Sequence, residues 1–464
     1  MKKTIAILLL GACLLLPLTS CQACKKDDFG GKPSVSVPVK PQQPTKDPEI
    51  DQTDYHKTVT DYFATLANSP EADFTYEATT GGVCVTGYVG TDAAVRIPET
   101  LNGQAVVAIA DRAFENKKTV KVLYIPDSVV ALGKSVLSGS DAIEALHTPL
   151  LSEDATKAQH IGYLFGGMGY LDNIKVPASL KYVSLGNAVT EVSDSAFADC
   201  DSLVAVVLGD NVKSVGDFAF YYCQKLKYVN MDGLTEIGEF AFASCNVLVR
   251  ADLGKQTASI GYGAFQGCAA LSSMTLPFVG GTQTENTHLG YIFGAEMPDF
   301  NAGYIPAYLR TVTVLDSCTS IGNYAFFECA SICRVILPDT VTSVGVRAFE
   351  KCRLLTEITF SDSLTVIREN AFVGCVSLES VSLGEGLTAL GINAFYGCTA
   401  LKEIALPNSL TKLPTSAFAD CRALETVHLG GVLYVGKNAF HNCISLKDLH
   451  TENAVFYEDA NLIA

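Results

Sequence analysis

Tryptophan is absent, and charged side chains are scarce: Asp, Glu, Lys and Arg together make up 18% of the 464 residues. Positive charge is the scarcer kind, with 33 Lys and Arg against 49 Asp and Glu and a formal charge of -16. That balance argues against nucleic acid or an anionic membrane surface as a partner, because both are bound through clustered Lys and Arg. Beyond residue 20 no apolar run approaches the ~18 residues that cross a bilayer as a helix. The chain also lacks H-E-x-x-H, G-x-S-x-G, a P-loop and an acidic calcium loop. Its histidines, His56, His147, His160, His288, His428, His441 and His450, are scattered rather than grouped as metal ligands. No catalytic residue, metal or cofactor is expected, and the chain reads as a non-enzyme.

What is present is apolar and repetitive. Apolar residues reach 48%, and 19 Tyr and 23 Phe supply aromatic area for packing and recognition. The opening "MKKTIAILLLGACLLLPLTSCQAC" has Lys2 and Lys3, an apolar stretch from Thr4 to Leu16 and small residues before Cys21, the pattern of a secretory signal over 1–20. "LTSC", residues 18–21, resembles a bacterial lipobox, which implies that Cys21 carries the lipid. A lipidated terminus holds a protein on a membrane face without spanning it. Residues 21–51 are rich in Pro, Lys, Asp, Gln and Ser and form a tether, which at ~3.1 Å per residue holds the body up to ~80 Å from the lipid. A short helix is expected in "DYHKTVTDYFATLAN", where Val59, Tyr62, Phe63 and Leu66 share a face. With the segment up to 91 it would cover one end of the fold.

Self-comparison organises the rest. From Leu401, Ile404 and Leu406 follow at +3 and +5, Pro407 at +6, Leu413 at +12, Ala417 and Phe418 at +16 and +17, and Cys421 at +20. The same offsets start units at Leu180, Leu203, Leu226, Leu248, Leu271, Leu309, Ile332, Leu355, Leu378, Leu424 and Leu446, most of them 23 residues apart. Val120 and Ile143 begin weaker units, and residues 92–114 look like a first coil with a longer turn at Asn102-Gly103. So short a period, sustained this long, predicts a repeat solenoid over 92–450, with coils of about 23 residues and a stacked parallel β-sheet. Each coil supplies a strand such as "LKEIALP", then a V/I-G step and a compact "AF..C" corner. End coils need covers, for which 76–90 and the C-terminal segment 451–464 are the natural choices.

These units resemble the BspA-like leucine-rich repeat family, in the form L-x-x-I-x-[IL]-P-x-x-[VL]-x-x-I-G-x-x-A-F-x-x-C. "LKEIALPNSLTKLPTSAFADC" and "ICRVILPDTVTSVGVRAFEKC" carry most of that pattern, and the likeness runs over about 76–450. The resemblance implies a bacterial cell-surface leucine-rich repeat protein, with adhesion to host matrix proteins or other cells as the family's best-known activity. The coil at 132–140 lacks both Phe and Cys, and Asn116 stands where the first coil should have Cys.

Ten of the 16 cysteines occupy one repeat position: Cys200, Cys223, Cys245, Cys268, Cys329, Cys352, Cys375, Cys398, Cys421 and Cys443. In-register neighbours project side by side, with Cβ atoms further apart than the ~3.8 Å that a disulfide prefers. They are therefore expected to be buried thiols acting as small hydrophobes. Cys84, Cys318 and Cys333 lie off this column, and Cys333 is the one expected to be most exposed.

The period breaks twice, at enlarged coils with inserts near 151–177 and 278–306. Both contain H-[IL]-G-Y-[LI]-F-G, starting at His160 and at His288. Either Tyr163, Phe165, Tyr291 and Phe293 fill the wider coils and stitch a hairpin onto them, or loops on a rigid scaffold present His160, Tyr163, Phe165, His288, Tyr291 and Phe293 to a partner. The sequence thus points to a lipid-anchored, monomeric surface protein that binds extracellular proteins. The competing reading is a glycan-capturing lipoprotein that serves an uptake system.

Overall fold

The computed structural model describes residues 54–154, 160–450 and 455–456. The signal segment 1–20, Cys21, the tether and most of the C-terminal cap lie outside these residues. From Ala94–Arg96 to Asp448–His450 the chain is a parallel β-solenoid, in which each coil adds one strand to runs of six, six and three paired strands. A second ladder of two-residue strands, among them Ser214–Val215, Glu236–Ile237 and Ser259–Ile260, runs along the adjoining side. Register follows the repeat: Ala205 faces Tyr228, Glu357 faces Ser380 and Glu403 faces Thr426. It also survives both enlarged coils, where Ala145 faces Tyr182 and Ser273 faces Thr311. The inserts are therefore carried outside the sheet.

Alternation sets what faces inward. In Arg334–Ile336, Glu357–Thr359 and Glu403–Ala405 only the middle residue is buried. The V/I-G step packs backbone on backbone. A methyl group at Gly391 would sit 2.3 Å from the Glu369 nitrogen, so the coils stack this closely only because no side chain intervenes. In the corners the residue two before each phenylalanine has positive φ, as in Asn370, Asn393, Ser416 and Asn438, and the frequent "NAF" reflects the ease with which Asn adopts that region.

The N-terminal cover is a β-hairpin, Phe74–Thr79 with Gly82–Tyr88, and Gly82–Tyr88 pairs in parallel with Gln104–Ile109 of the first coil. The expected turn at Asn102-Gly103 joins Thr100–Leu101 to Gln104–Ile109, with φ of 48° and 72°.

The helix lies elsewhere than expected. It spans Tyr55–Ala64, starts where the Asp54 side chain accepts from the Lys57 N–H at 2.9 Å, and rests on the outward face of the sheet instead of its end. Val59 and Phe63 bury themselves against Ala145, Ala205 and Val207, and the Tyr62 ring sits 5.1 Å from Tyr182. Strands Ala145–Thr148 and Ala205–Val207 are accordingly buried on both faces. Under the last turn, His147 stacks on Tyr124 at 4.3 Å, contacts Ser184 Oγ through Nδ1 at 3.0 Å and reaches Asp127 through Nε2 at 3.3 Å. Arg96 covers the other face of Tyr124 and donates to the Phe63 carbonyl at 3.1 Å. His147 and Ser184 are both buried, so this polar set anchors the helix.

Candidate functional site

The two inserts are modified corners. In an ordinary corner the phenylalanine N–H donates to the carbonyl before the next phenylalanine, as from Phe197 to Ala219 at 2.7 Å and from Phe349 to Ala371 at 2.7 Å. Leu137 and Phe265 make the same bond to Leu164 and Ile292, which puts Phe165 and Phe293 at the corner position of their coils. The next coil is reached instead from the Ile161 and Leu289 N–H groups, to Ala196 and Ala325. The turns Ile161–Phe165 and Leu289–Phe293 are single 3₁₀ segments, each closed by a glycine with φ of 95°. Among the described residues neither insert contains a strand of the hairpin that one of the two sequence readings placed there. Tyr170–Lys175 is 3₁₀, and Pro298–Phe300 leads into a short helix at Asn301–Tyr304. A chain that stays bonded to both neighbouring corners has no free edge on which to start a strand pair.

One asparagine holds each insert. Asn301 is 0% exposed; its Nδ2 donates to the Phe327 carbonyl at 2.8 Å, and its Oδ1 accepts from His288 Nδ1 at 3.0 Å. Asn173 Nδ2 donates to the Ser195 and Ala198 carbonyls at 3.1 and 3.0 Å, while its Oδ1 accepts from the Gly162 N–H at 2.9 Å. Gly290 has no side chain because a methyl there would lie 2.0 Å from Asn301 Oδ1. Sequence reading missed both asparagines, although each stands 13 residues after its histidine.

The six residues singled out from sequence form two separate sets, with the corners of Phe197, Phe220, Phe242 and Phe265 between them. His160, His288, Phe165 and Phe293 are buried, whereas Tyr163 and Tyr291 are half-buried, each 6.3 Å edge-on from its own histidine. Burial pushes both imidazoles below their ordinary pKa, offset at His288 by Asn301 and at His160 by Asp172 and Asn173. Other side chains project: Met168 (84% exposed) and Ile174 (81%) from the first insert, and Met297, Phe300, Tyr304 and Tyr308 from the second.

The repeated cysteines are all buried. Beyond filling space, eight of them donate to the phenylalanine carbonyl of the preceding coil, such as Cys375 to Phe349 at 3.0 Å and Cys398 to Phe372 at 3.2 Å. Cys200 and Cys329, the first of each run after an insert, do not make that bond to a preceding corner. Burial lifts the Cys268 and Cys443 thiols to about 12 and pushes up those of Cys375 and Cys398. Because the thiolate is the nucleophile, iodoacetamide at pH 8 is expected to spare this column in the native protein and to label it after unfolding, while half-buried Cys84 reacts natively. Peptide mass spectrometry reads the difference, and rapid native labelling of Cys375 or Cys398 would contradict the burial. Cys333 is half-buried and Cys318 buried.

Among the described residues no helix is long and apolar enough to cross a membrane, and no cluster of three metal-ligating side chains occurs.

The repeat family described as BspA type leucine-rich repeat region matches this chain in six copies, over residues 95–186, 175–285 and 306–425. Among solved structures, the chain is similar to a leucine-rich repeat protein from Bacteroides ovatus, at 21% identity over 85% of this chain and 99% of that one, with a TM-score of 0.36. It is also similar to a leucine-rich cell surface protein from Faecalibacterium prausnitzii, at 20% identity over 84% and 96% and a TM-score of 0.27. A third is the leucine-rich repeat protein of T. pallidum, at 16% identity over 82% and 91% and a TM-score of 0.20. Among curated protein sequences none matches the chain.

Proposed function

Because the chain belongs to the BspA-type leucine-rich repeat family, we propose that it is a non-enzymatic, lipid-anchored cell-surface protein whose solenoid mediates adhesion or protein–protein binding. The export pattern of residues 1–20 and the lipobox-like "LTSC" support display at a membrane face, with Cys21 as the lipidated residue. The observation that carries the binding role is the second insert. Met297, Phe300, Tyr304 and Tyr308 stand exposed on a loop that Asn301 fixes to the corner, and exposed large apolar side chains on a rigid support mark interaction sites. In this reading His160, Tyr163, Phe165, His288, Tyr291 and Phe293 position the loops, and the projecting residues meet the partner. Extracellular proteins are the proposed partners, and the protein acts as a monomer.

Glycan capture for an uptake system is the second reading, favoured by the grouping of three exposed rings, Phe300, Tyr304 and Tyr308, that a sugar could stack on. One screen separates the two. Cells displaying the chain, and cells displaying F300S/Y304S/Y308S, are offered immobilised matrix proteins and glycans. Capture of a protein ligand, reduced about tenfold or more by the triple substitution, is expected for loss of a small aromatic hot spot. Capture of glycans alone favours the second reading, and undiminished capture by the variant removes the insert from the binding surface.

A further inference from the structure

A hollow of about 820 Å³ opens on the outward sheet face beside the first turn of the helix. That volume falls in the range of about 300–1,000 Å³ typical of small-molecule sites, whereas a second hollow on the same face, between Arg334 and Glu357, holds 210 Å³ and falls short of it. One wall is aromatic. His56 projects from the helix and meets Tyr228 edge-on, with ring centres 6.1 Å apart and His56 Nδ1 3.2 Å from the Tyr228 hydroxyl. Burial, and then Asp232, Asp54 and Asp252, push the Tyr228 phenol up to about 12, so it stays neutral. The floor is apolar, with Met231 and Val229 buried and the half-buried Val247, Val249 and Ala270 at its side. Beside it Asn230 is immobilised: its Oδ1 accepts from the Leu208 N–H at 2.7 Å, and its Nδ2 donates to the Leu208 carbonyl at 3.1 Å.

The opposite wall is a hydrogen-bonding group fixed in advance. Arg250 donates through Nε to Asp252 Oδ2 at 3.1 Å and pairs with it through one terminal nitrogen at 2.9 Å, while Asp252 Oδ1 accepts from Thr275 Oγ1 at 2.7 Å. The other terminal nitrogen of Arg250, with two N–H groups, has no partner among the described residues. Thr275 holds Asp252 and Asp252 holds Arg250, so these donors are ordered before a ligand arrives. Charge narrows the ligand class. Asp54, Asp232 and Asp252 line the hollow against Lys227 and Arg250, and Asp54 is engaged as the helix cap. An anion meets this excess of carboxylate, and a cation would have to compete with Arg250 for Asp252. What the walls offer is donors and acceptors side by side, next to rings and an apolar floor. A sugar uses all of these, because each hydroxyl both donates and accepts and the C–H faces pack on apolar and aromatic surface.

We infer that this hollow binds a short neutral oligosaccharide, with hydroxyls on Arg250 and Asp232 and a ring face against Tyr228 and Val249. The site lies on the sheet face and not on the inserts, so it adds to the protein-binding reading without depending on it. It is also separate from Phe300, Tyr304 and Tyr308, the rings on which the glycan reading rests.

The test is isothermal titration calorimetry on the full chain in detergent with four trisaccharides: cellotriose, maltotriose, chitotriose and the acidic trigalacturonate. At least one of the three neutral sugars is expected to bind, and trigalacturonate is not. R250K keeps the charge and removes the planar fork, whereas A270F fills the hollow, and melting temperature confirms the fold of each. Both are expected to weaken binding about tenfold or more. F300S/Y304S/Y308S is expected to leave the affinity unchanged. Absence of binding by all three neutral sugars overturns the inference, as does unchanged affinity in either R250K or A270F. Tighter binding of trigalacturonate than of the neutral sugars overturns the ligand class. Loss of sugar binding in the insert triple variant, with R250K and A270F unaffected, moves the sugar to the insert and removes this site. Loss of a protein ligand in the triple variant, with sugar binding retained, supports both the insert and the hollow as separate surfaces.

Discussion

Replacing Phe372 with alanine is expected to lower the unfolding free energy by about 3–5 kcal/mol, the range for deleting a buried phenylalanine ring. The ring is fully buried, lies 4.9 Å from Phe349 and 5.0 Å from Phe395 in near-parallel stacking, and meets Phe360 edge-on at 6.2 Å. A site recovers part of such a loss when its neighbours collapse into the gap. Here they are held apart, because strand register fixes the spacing of successive coils and the Phe372 N–H remains bonded to the Ala394 carbonyl at 2.8 Å. The cavity therefore persists. Phe440 provides the internal control: among the described residues it stacks on one ring, Phe418 at 5.9 Å, so its alanine variant should lose about 1 kcal/mol less. Urea unfolding followed by circular dichroism gives both values. Because each coil contacts only its neighbours, the mid-solenoid variant is also expected to broaden or split the transition, whereas the end variant frays locally. Equal losses at the two positions would mean that ring stacking adds nothing to simple burial.

Much of this architecture was legible because one physical demand recurs in every coil. An inward Leu or Ile at fixed offsets, a glycine where backbones approach, Asn or Gly at the left-handed corner and a small thiol beneath the preceding phenylalanine carbonyl all repeat, so each is visible by self-comparison. The position of the helix was not read, although its signal was present. The outward strand positions of the early coils carry Tyr124, Ala145, Tyr182, Ala205, Val207 and Tyr228, whereas the later ones carry Arg334, Glu357, Ser380 and Glu403. An apolar outer face over that run of strands has to be covered, and Val59 and Phe63 of the helix cover it. What self-comparison cannot deliver is a contact made only where the repeat fails. The paired asparagines appear once in each insert, and their meaning depends on which carbonyls the interrupted corners leave without a donor.

Those asparagines carry the second large effect. Asn301→Leu keeps the volume and removes the amide, so the Phe327 carbonyl keeps only the long Cys329 thiol contact at 3.8 Å and His288 Nδ1–H loses its acceptor, both in a buried setting. Leaving buried polar groups unsatisfied costs about 1–3 kcal/mol each, which predicts a loss of about 2–5 kcal/mol. Gly290→Val should approach the same loss by a different route, since its new side chain would displace Asn301 Oδ1. If the glycine acts only by making room for the asparagine, the double variant should cost little more than either single one, and a double-mutant cycle reads that coupling. Full additivity would mean that Gly290 has a separate task. The damage should also stay local. Sheet register bypasses the insert through Ser273–Leu276 and Thr311–Val314, so hydrogen exchange in Asn301→Leu is expected to accelerate over 289–305 while those strands keep their protection. A variant with an intact solenoid and a loosened insert then isolates the loop's contribution to binding. Ligand capture that falls with the order of Phe300, Tyr304 and Tyr308, at unchanged exposure of the rest of the surface, places the requirement on a fixed loop geometry and not on apolar area alone.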